Sequence, residues 1–258
     1  MLLVLATILV FGYVYVNRNR VTDHLPPFAQ HWMGKATVDD RLAQYGQAAR
    51  ARLAPYFAAA GVRYPPAKVD LLALKDSDRL EVYAANANGA MKPITVYAIL
   101  AASGRAGPKL IEGDGQVPEG IYPIASLNPN SLFHLSLRIG YPNTFDAKQA
   151  AADGRKELGG DIMIHGSAGS AGCLAMGDQV AEDLFVLAAD TGKRNLRVTI
   201  SPIDFRTTTT LPADGHYPAW TPQLYALIKN QLDLLPVAKK PIPIQVDPSG
   251  ARPAIRRT

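Results

Sequence analysis

A single thiol stands in this chain, Cys173, and it follows His165 by eight residues in the run Ile164-His165-Gly166-Ser167-Ala168-Gly169-Ser170-Ala171-Gly172-Cys173. A thiol is mostly protonated at neutral pH, and an imidazole beside it can take that proton and leave a nucleophilic thiolate. The small residues between the two permit a tight loop that folds them together. Glycine also lets backbone N–H groups turn toward a substrate oxygen. The competing reading is that a lone Cys is a small buried hydrophobe.

Other blocks stand around this run. They are Val117-Pro118-Glu119-Gly120-Ile121-Tyr122, Gly107-Pro108-Lys109 with Gly113-Asp114, Phe133-His134-Leu135-Ser136-Leu137, and Tyr141-Pro142-Asn143. In this order, with an apolar strand ending in His-Gly and a Ser-x-Gly-Cys loop after it, the stretch resembles the L,D-transpeptidase (YkuD-type) catalytic domain, in its YafK-like branch. The resemblance covers about Val69 to Ser201. Two positions depart from it. Many family members carry His where this chain has Ala171, and Arg where it has Ala175.

The resemblance implies a mainly β protein, a YkuD-type β-sandwich with covering helices. It implies acyl transfer on peptidoglycan stem peptides in cell-wall remodelling, through a thioester on Cys173 with His165 as general base. The alternative is an amidase of the same fold that releases a wall-attached lipoprotein. A further alternative is a non-catalytic wall-binding module. A redox or thiol-sensing role for the lone Cys ranks last, because it needs neither the His-Gly strand nor the Pro-x-Gly segment.

Each residue of the expected site has its reason. Cys173 is read as lying just ahead of a helix whose N-terminal dipole lowers its pKa. His165 ends a strand, which holds its ring. Gly172 and the Cys173 N–H are expected to form an oxyanion hole. Ser170 is expected to add a hydroxyl or to shape the turn, and Gly166 to permit close backbone approach. His134 is the rival base, on a polar strand face with Ser136 and Arg138. Arg138 is a candidate partner for a substrate carboxylate, and Tyr122 a candidate cleft-lining residue. No His, Cys and carboxylate group has zinc-ligand spacing, so no metal and no cofactor is expected.

The elements that position these residues follow from periodicity. Thr37 reads as the cap of a helix from Val38, with apolar residues recurring at helical spacing to Phe57 and Gly61 as its stop. Strands are expected at Val69 to Lys75, Leu80 to Ala85, Pro93 to Leu100, Leu132 to Ile139, Asp161 to His165 and Asn195 to Ile200. Ser103 to Gly120 reads as a long loop bordering a cleft. Helices are expected from Asp178 and from Thr221, the second with a stripe of Leu224, Leu227, Ile228, Leu232 and Leu235 broken only by Gln231.

Four segments result: 1–20 as a transmembrane signal anchor, 21–65 as linker and helix, 66–203 as the catalytic domain, and 204–258 as a helix and a Pro-rich tail expected to be disordered. Met1 to Val16 is almost wholly apolar, slightly short of the ~20 residues a span needs. The expected location is the cell envelope, inner-membrane-anchored with a periplasmic domain, although Arg18 and Arg20 by the positive-inside rule favour the opposite orientation. The chain has 27 Lys and Arg against 22 Asp and Glu, with no dense basic cluster, which argues against nucleic acid as a partner.

Overall fold

The computed structural model describes residues 34–237 and 244–245. The expected anchor and most of the expected tail lie outside them. Among the described residues no helix is long and apolar enough to cross a membrane.

The first helix, α1 (Val38–Ala60), begins as its sequence dictates. Thr37 Oγ1 accepts from the Asp40 N–H at 3.1 Å, and the Asp40 carboxylate accepts in return from the Thr37 N–H at 2.8 Å. Gly61 ends it in the left-handed conformation, φ 64°. The strands follow: β1 (Val69–Leu74), β2 (Arg79–Ala85), β3 (Met91–Ala98), β4 (Ala101–Ala102), β5 (Gly120–Ser131) and β6 (His134–Ile139). Helix α2 (Thr144–Ala152) comes next, then β7 (Met163–His165), β8 (Leu174–Ala175), α3 (Asp178–Thr191), β9 (Leu196–Ser201), α4 (Thr221–Leu232) and β10 (Ile244–Gln245).

The strands form one sheet in the order β10-β3-β2-β1-β9-β5-β6-β7-β8-β4. Its two halves share β5. Gly120 to Pro123 pair with β9, while Ile124 to Ser131 pair with β6. One buried cluster draws side chains from both halves and from α1 and α3, including Phe57, Leu71, Val82, Leu137, Ile164, Leu174 and Phe185. The protein is thus mainly sheet with covering helices.

Strand β1 is buried on both faces, which is why it reads as an apolar run broken only by Asp70. Leu71 and Ala73 enter the main cluster; Leu72 and Leu74 enter a second one beneath α4. Asp70 lies on this second side, 1% exposed. It faces Arg197 in the β1–β9 register and takes both guanidinium bonds, at 2.6 and 2.8 Å. Gln231 Nε2 also points to Asp70, at 3.3 Å. The polar break in the α4 stripe is therefore a buried partner for a buried carboxylate. Leu227 of that stripe is 47% exposed and outside the core.

Some expectations are corrected. Leu132 and Phe133, expected to begin a strand, are the turn between β5 and β6, and Phe133 is 45% exposed. Ser136, expected on a polar strand face, is fully buried with its hydroxyl against Met163 Sδ. Tyr122 lines no cleft: it is buried, its hydroxyl donating to the Glu119 carbonyl at 2.9 Å. Within the expected tail, Ile244 and Gln245 are described, as β10, and they pair with Val96 and Tyr97 of β3.

Candidate active site

Strands β7 and β8 lie side by side and parallel, with Ile164 opposite Leu174 and His165 opposite Ala175. The eight residues 166–173 make the whole connection, far shorter than the dozen or more that a parallel crossover normally takes. Glycine makes it feasible. Gly172 sits at φ 88°, where a side chain would be strained. Gly166 is hemmed in: a Cβ there would lie 2.5 Å from Asp178 Oδ1, 2.8 Å from the Phe133 carbonyl and 2.9 Å from His134 Cβ. His165 ends β7 and Cys173 precedes β8 by one residue, so the loop returns the thiol to the strand next to the imidazole.

His165 is 1% exposed. Its Nδ1 lies 2.6 Å from the Gly166 carbonyl oxygen. A carbonyl can only accept, so Nδ1 carries the proton and Nε2 presents a bare lone pair. That Nε2 is buried and has no hydrogen-bond partner among the described residues. Burial lowers the imidazole pKa, and the Gly166 bond only partly opposes this, which favours the neutral ring. The Phe133 ring covers it, centroids 4.7 Å apart and planes tilted by 30°.

Cys173 is half-buried. Its sulfur donates toward the Asp161 carbonyl at 3.7 Å and accepts from the Met163 N–H. Burial raises its pKa, and Met163 and the Lys109 charge lower it less. The expected lowering by a helix dipole is thus corrected. Strand β8 intervenes between Cys173 and α3, and Asp178 at the start of α3 instead accepts from the Ser167 N–H at 2.7 Å. The resting pair is a thiol and a neutral imidazole, with no hydrogen bond joining them.

The expected oxyanion donors are both engaged. Ser170 Oγ accepts from the Cys173 N–H at 3.1 Å and donates to the Cys173 carbonyl at 2.6 Å. The Gly172 N–H donates to Ser103 Oγ at 2.5 Å, and Ser103 in turn donates to the Gly115 carbonyl. Ser103 belongs to the loop before β5 and carries no spacing signal in the sequence.

His134 is held elsewhere. Its Nε2 is 3.1 Å from Glu182 of α3, and its ring meets Tyr45 of α1 edge-on. Arg138 pairs with Asp161 at 2.8 Å. Asp161 therefore links Arg138 to the thiol, because its carbonyl receives the sulfur. Asp161 has a left-handed backbone, φ 56°.

Residues 71–200 match the YkuD family, described as the L,D-transpeptidase catalytic domain. The chain belongs to this family. YafK of Escherichia coli (strain K12), provisionally named an L,D-transpeptidase, is 36% identical over 111 residues, which are 41% of this chain and 43% of that relative. The chain thus spans less than half the length of the curated relative it matches. Among solved structures it is similar to the helical cell shape determining protein Pgp2 from Campylobacter jejuni, at 24% identity and TM-score 0.43 over 53% of this chain and 48% of that one. Mycobacterium tuberculosis L,D-transpeptidase 1 aligns at 12% identity and TM-score 0.31, over 52% and 62%.

Proposed function

We propose that the protein performs cysteine-dependent acyl transfer on peptidoglycan stem peptides, with Cys173 as nucleophile and His165 as general base. The observation that carries this reading is the His165 ring: buried, tautomer set by the Gly166 carbonyl, and bearing an unpartnered Nε2 on the strand beside Cys173. A buried nitrogen with nothing to bond costs about 1–3 kcal/mol, and a site that must accept a proton is a reason to retain one.

The steps follow from the atoms present. The Cys173 thiol turns from the Asp161 carbonyl toward His165 Nε2 and gives up its proton there. The thiolate attacks a stem-peptide carbonyl carbon, and the carbonyl oxygen becomes an oxyanion. The Gly172 and Cys173 N–H groups stabilise it once the Ser103 and Ser170 hydroxyls yield them. The His165 imidazolium returns its proton to the leaving amine, the C–N bond breaks and a thioester remains. An incoming amine, deprotonated at Nε2, then takes the acyl group and frees the thiol. With water as acceptor the same groups make an amidase, and a wall-attached lipoprotein is a candidate leaving group.

Muropeptides, with and without a lipoprotein-derived Lys, are incubated with the wild-type chain and with Cys173→Ala, then resolved by mass spectrometry. Cross-linked products from wild type alone establish transfer. Release of Lys or peptide from wild type alone establishes hydrolysis. Identical profiles from the two proteins would remove the catalytic reading in favour of a wall-binding module. The envelope location is part of the same proposal; a reporter fused after residue 258 and active only in the periplasm would support it, and one active only in the cytoplasm would remove it.

A further inference from the structure

Beside the Cys173 loop lies a cavity of ≈ 300 Å³. Arg105, Arg155 and His216 bring positive or protonatable groups to it, and Pro108, Leu110 and Ile111 supply an apolar wall. It adjoins the candidate active site through residues 115 and 116. Gln116 lines the cavity, and its carbonyl oxygen lies 3.5 Å from where a Cβ of Gly172 would be. The charge of Lys109, partner of the cavity-lining Asp114, is felt at the Cys173 sulfur.

Two of these charges are already engaged. The Asp114 carboxylate is spent on Lys109 and on the N–H groups of Leu110, Ile111 and Gln116. Arg155 is shared with Asp153, at 2.9 Å, and with the Leu110 carbonyl. Arg105 is exposed, and no described residue pairs with its guanidinium.

Its backbone, in contrast, is held firmly. The Arg105 N–H donates to Gln116 Oε1, and its carbonyl accepts from both Gln116 Nε2 and Lys75 Nζ. Glu119 anchors the same loop by accepting from the Gly107 N–H and from Lys75. The His216 N–H donates to the Ala106 carbonyl, locking the opposite rim onto this one. A guanidinium with no partner among the described residues, on a fixed backbone and over an apolar wall, is prepared for an anion with an aliphatic body.

We propose that this cavity is a substrate subsite for a carboxylate-bearing peptide end, with Arg105 as the residue that binds the carboxylate and Pro108, Leu110 and Ile111 receiving the aliphatic part. This deepens the acyl-transfer reading and rests on it for the identity of the peptide. Two carboxylates of a stem peptide could fill the role, the C-terminal one and an internal one, and the chemistry recognised is the same.

The test is calorimetric titration of the full chain carrying Cys173→Ala, so that no turnover intervenes. Three synthetic stem peptides serve as probes: all carboxylates free, C-terminal carboxamide, and internal carboxylate amidated. The expected result is that one amidated form binds at least about tenfold more weakly than the free peptide. The affected form identifies the carboxylate. Arg105→Gln in the same background weakens the free peptide to a similar extent and leaves the affected form unchanged. Equal binding of all three probes, binding of none, or an Arg105→Gln chain within about twofold of its parent overturns the subsite. Arg105-dependent binding by a protein whose wild-type form turns over none of the peptides supports the subsite and overturns the acyl-transfer reading.

Discussion

Two glycines three residues apart in the same loop have opposite consequences when given a methyl group. A Cβ on Gly166 meets three atoms closer than 3.0 Å, one of them the Phe133 carbonyl, which belongs to backbone. A Cβ on Gly169 meets nothing within 4 Å. Overpacking of this kind costs about 1–3 kcal/mol, and three simultaneous contacts put Gly166→Ala at the upper end. For a protein of this size each kcal/mol lowers the melting temperature by roughly 2–4 °C, so a loss of roughly 6–12 °C is expected. Chemistry should suffer as well. The Gly166 carbonyl holds the His165 ring at 2.6 Å, and relieving the clash displaces that carbonyl. A misplacement approaching 1 Å costs about a hundredfold, so a fall in kcat of about ten- to a hundredfold is expected. Gly169→Ala should stay within about 0.5 kcal/mol of wild type and keep its activity. Scanning calorimetry and muropeptide turnover on the two variants decide the matter. If Gly166→Ala melts and turns over like Gly169→Ala, the packed connection between β7 and β8 is not what holds the imidazole.

Four further outcomes are expected. Arg197→Met should destabilise by about 3–5 kcal/mol in chemical denaturation, because it strips the two strong bonds from the buried Asp70 and leaves only Gln231; a loss under about 1 kcal/mol contradicts this. Thr37→Ala should cost about 1 kcal/mol through the capping box of α1, and an unchanged denaturation midpoint refutes it. In the pH dependence, the burial-raised Cys173 pKa means that alkylation by iodoacetamide, followed by mass spectrometry, should reach half its maximal rate above the pH of an ordinary free cysteine. The lowered His165 pKa keeps Nε2 unprotonated at neutral pH, so activity should be lost only as pH falls below about 6.5. An alkylation midpoint below pH 7 would show a thiolate at rest and overturn the reasoning.

The strands with strong period or β-branched runs are legible in the amino-acid sequence: β1, β2, β3, β6 and β9 lie within two residues of the expected ends. So is α1, whose capping box and closing Gly61 are local chemistry. Strand β5 is not. Its Pro123 and Pro129 speak against a strand, and it survives because Pro123 pairs at the end of the β9 contact and the register shifts past Ile124 and Asn128. Helix α2 escapes periodicity because TFDAKQAAA has almost no apolar face; the Asn143–Asp146 capping box is the readable signal.

For the site, the sequence by itself determined which groups could react: one thiol, one His-Gly strand end, and a glycine-rich loop short enough to join them. Residue type and local spacing are enough for that, because nucleophilicity and backbone freedom are properties of single residues. Only the tertiary structure decided the state and surroundings of those groups. It set the His165 tautomer through the Gly166 carbonyl and raised the Cys173 pKa by burial. It brought Ser103 to the Gly172 N–H from 69 residues away, and fixed Arg105 at the rim of a cavity through Gln116 and Lys75. These are contacts between distant segments, and burial and hydrogen-bond partners exist only once the whole chain has packed.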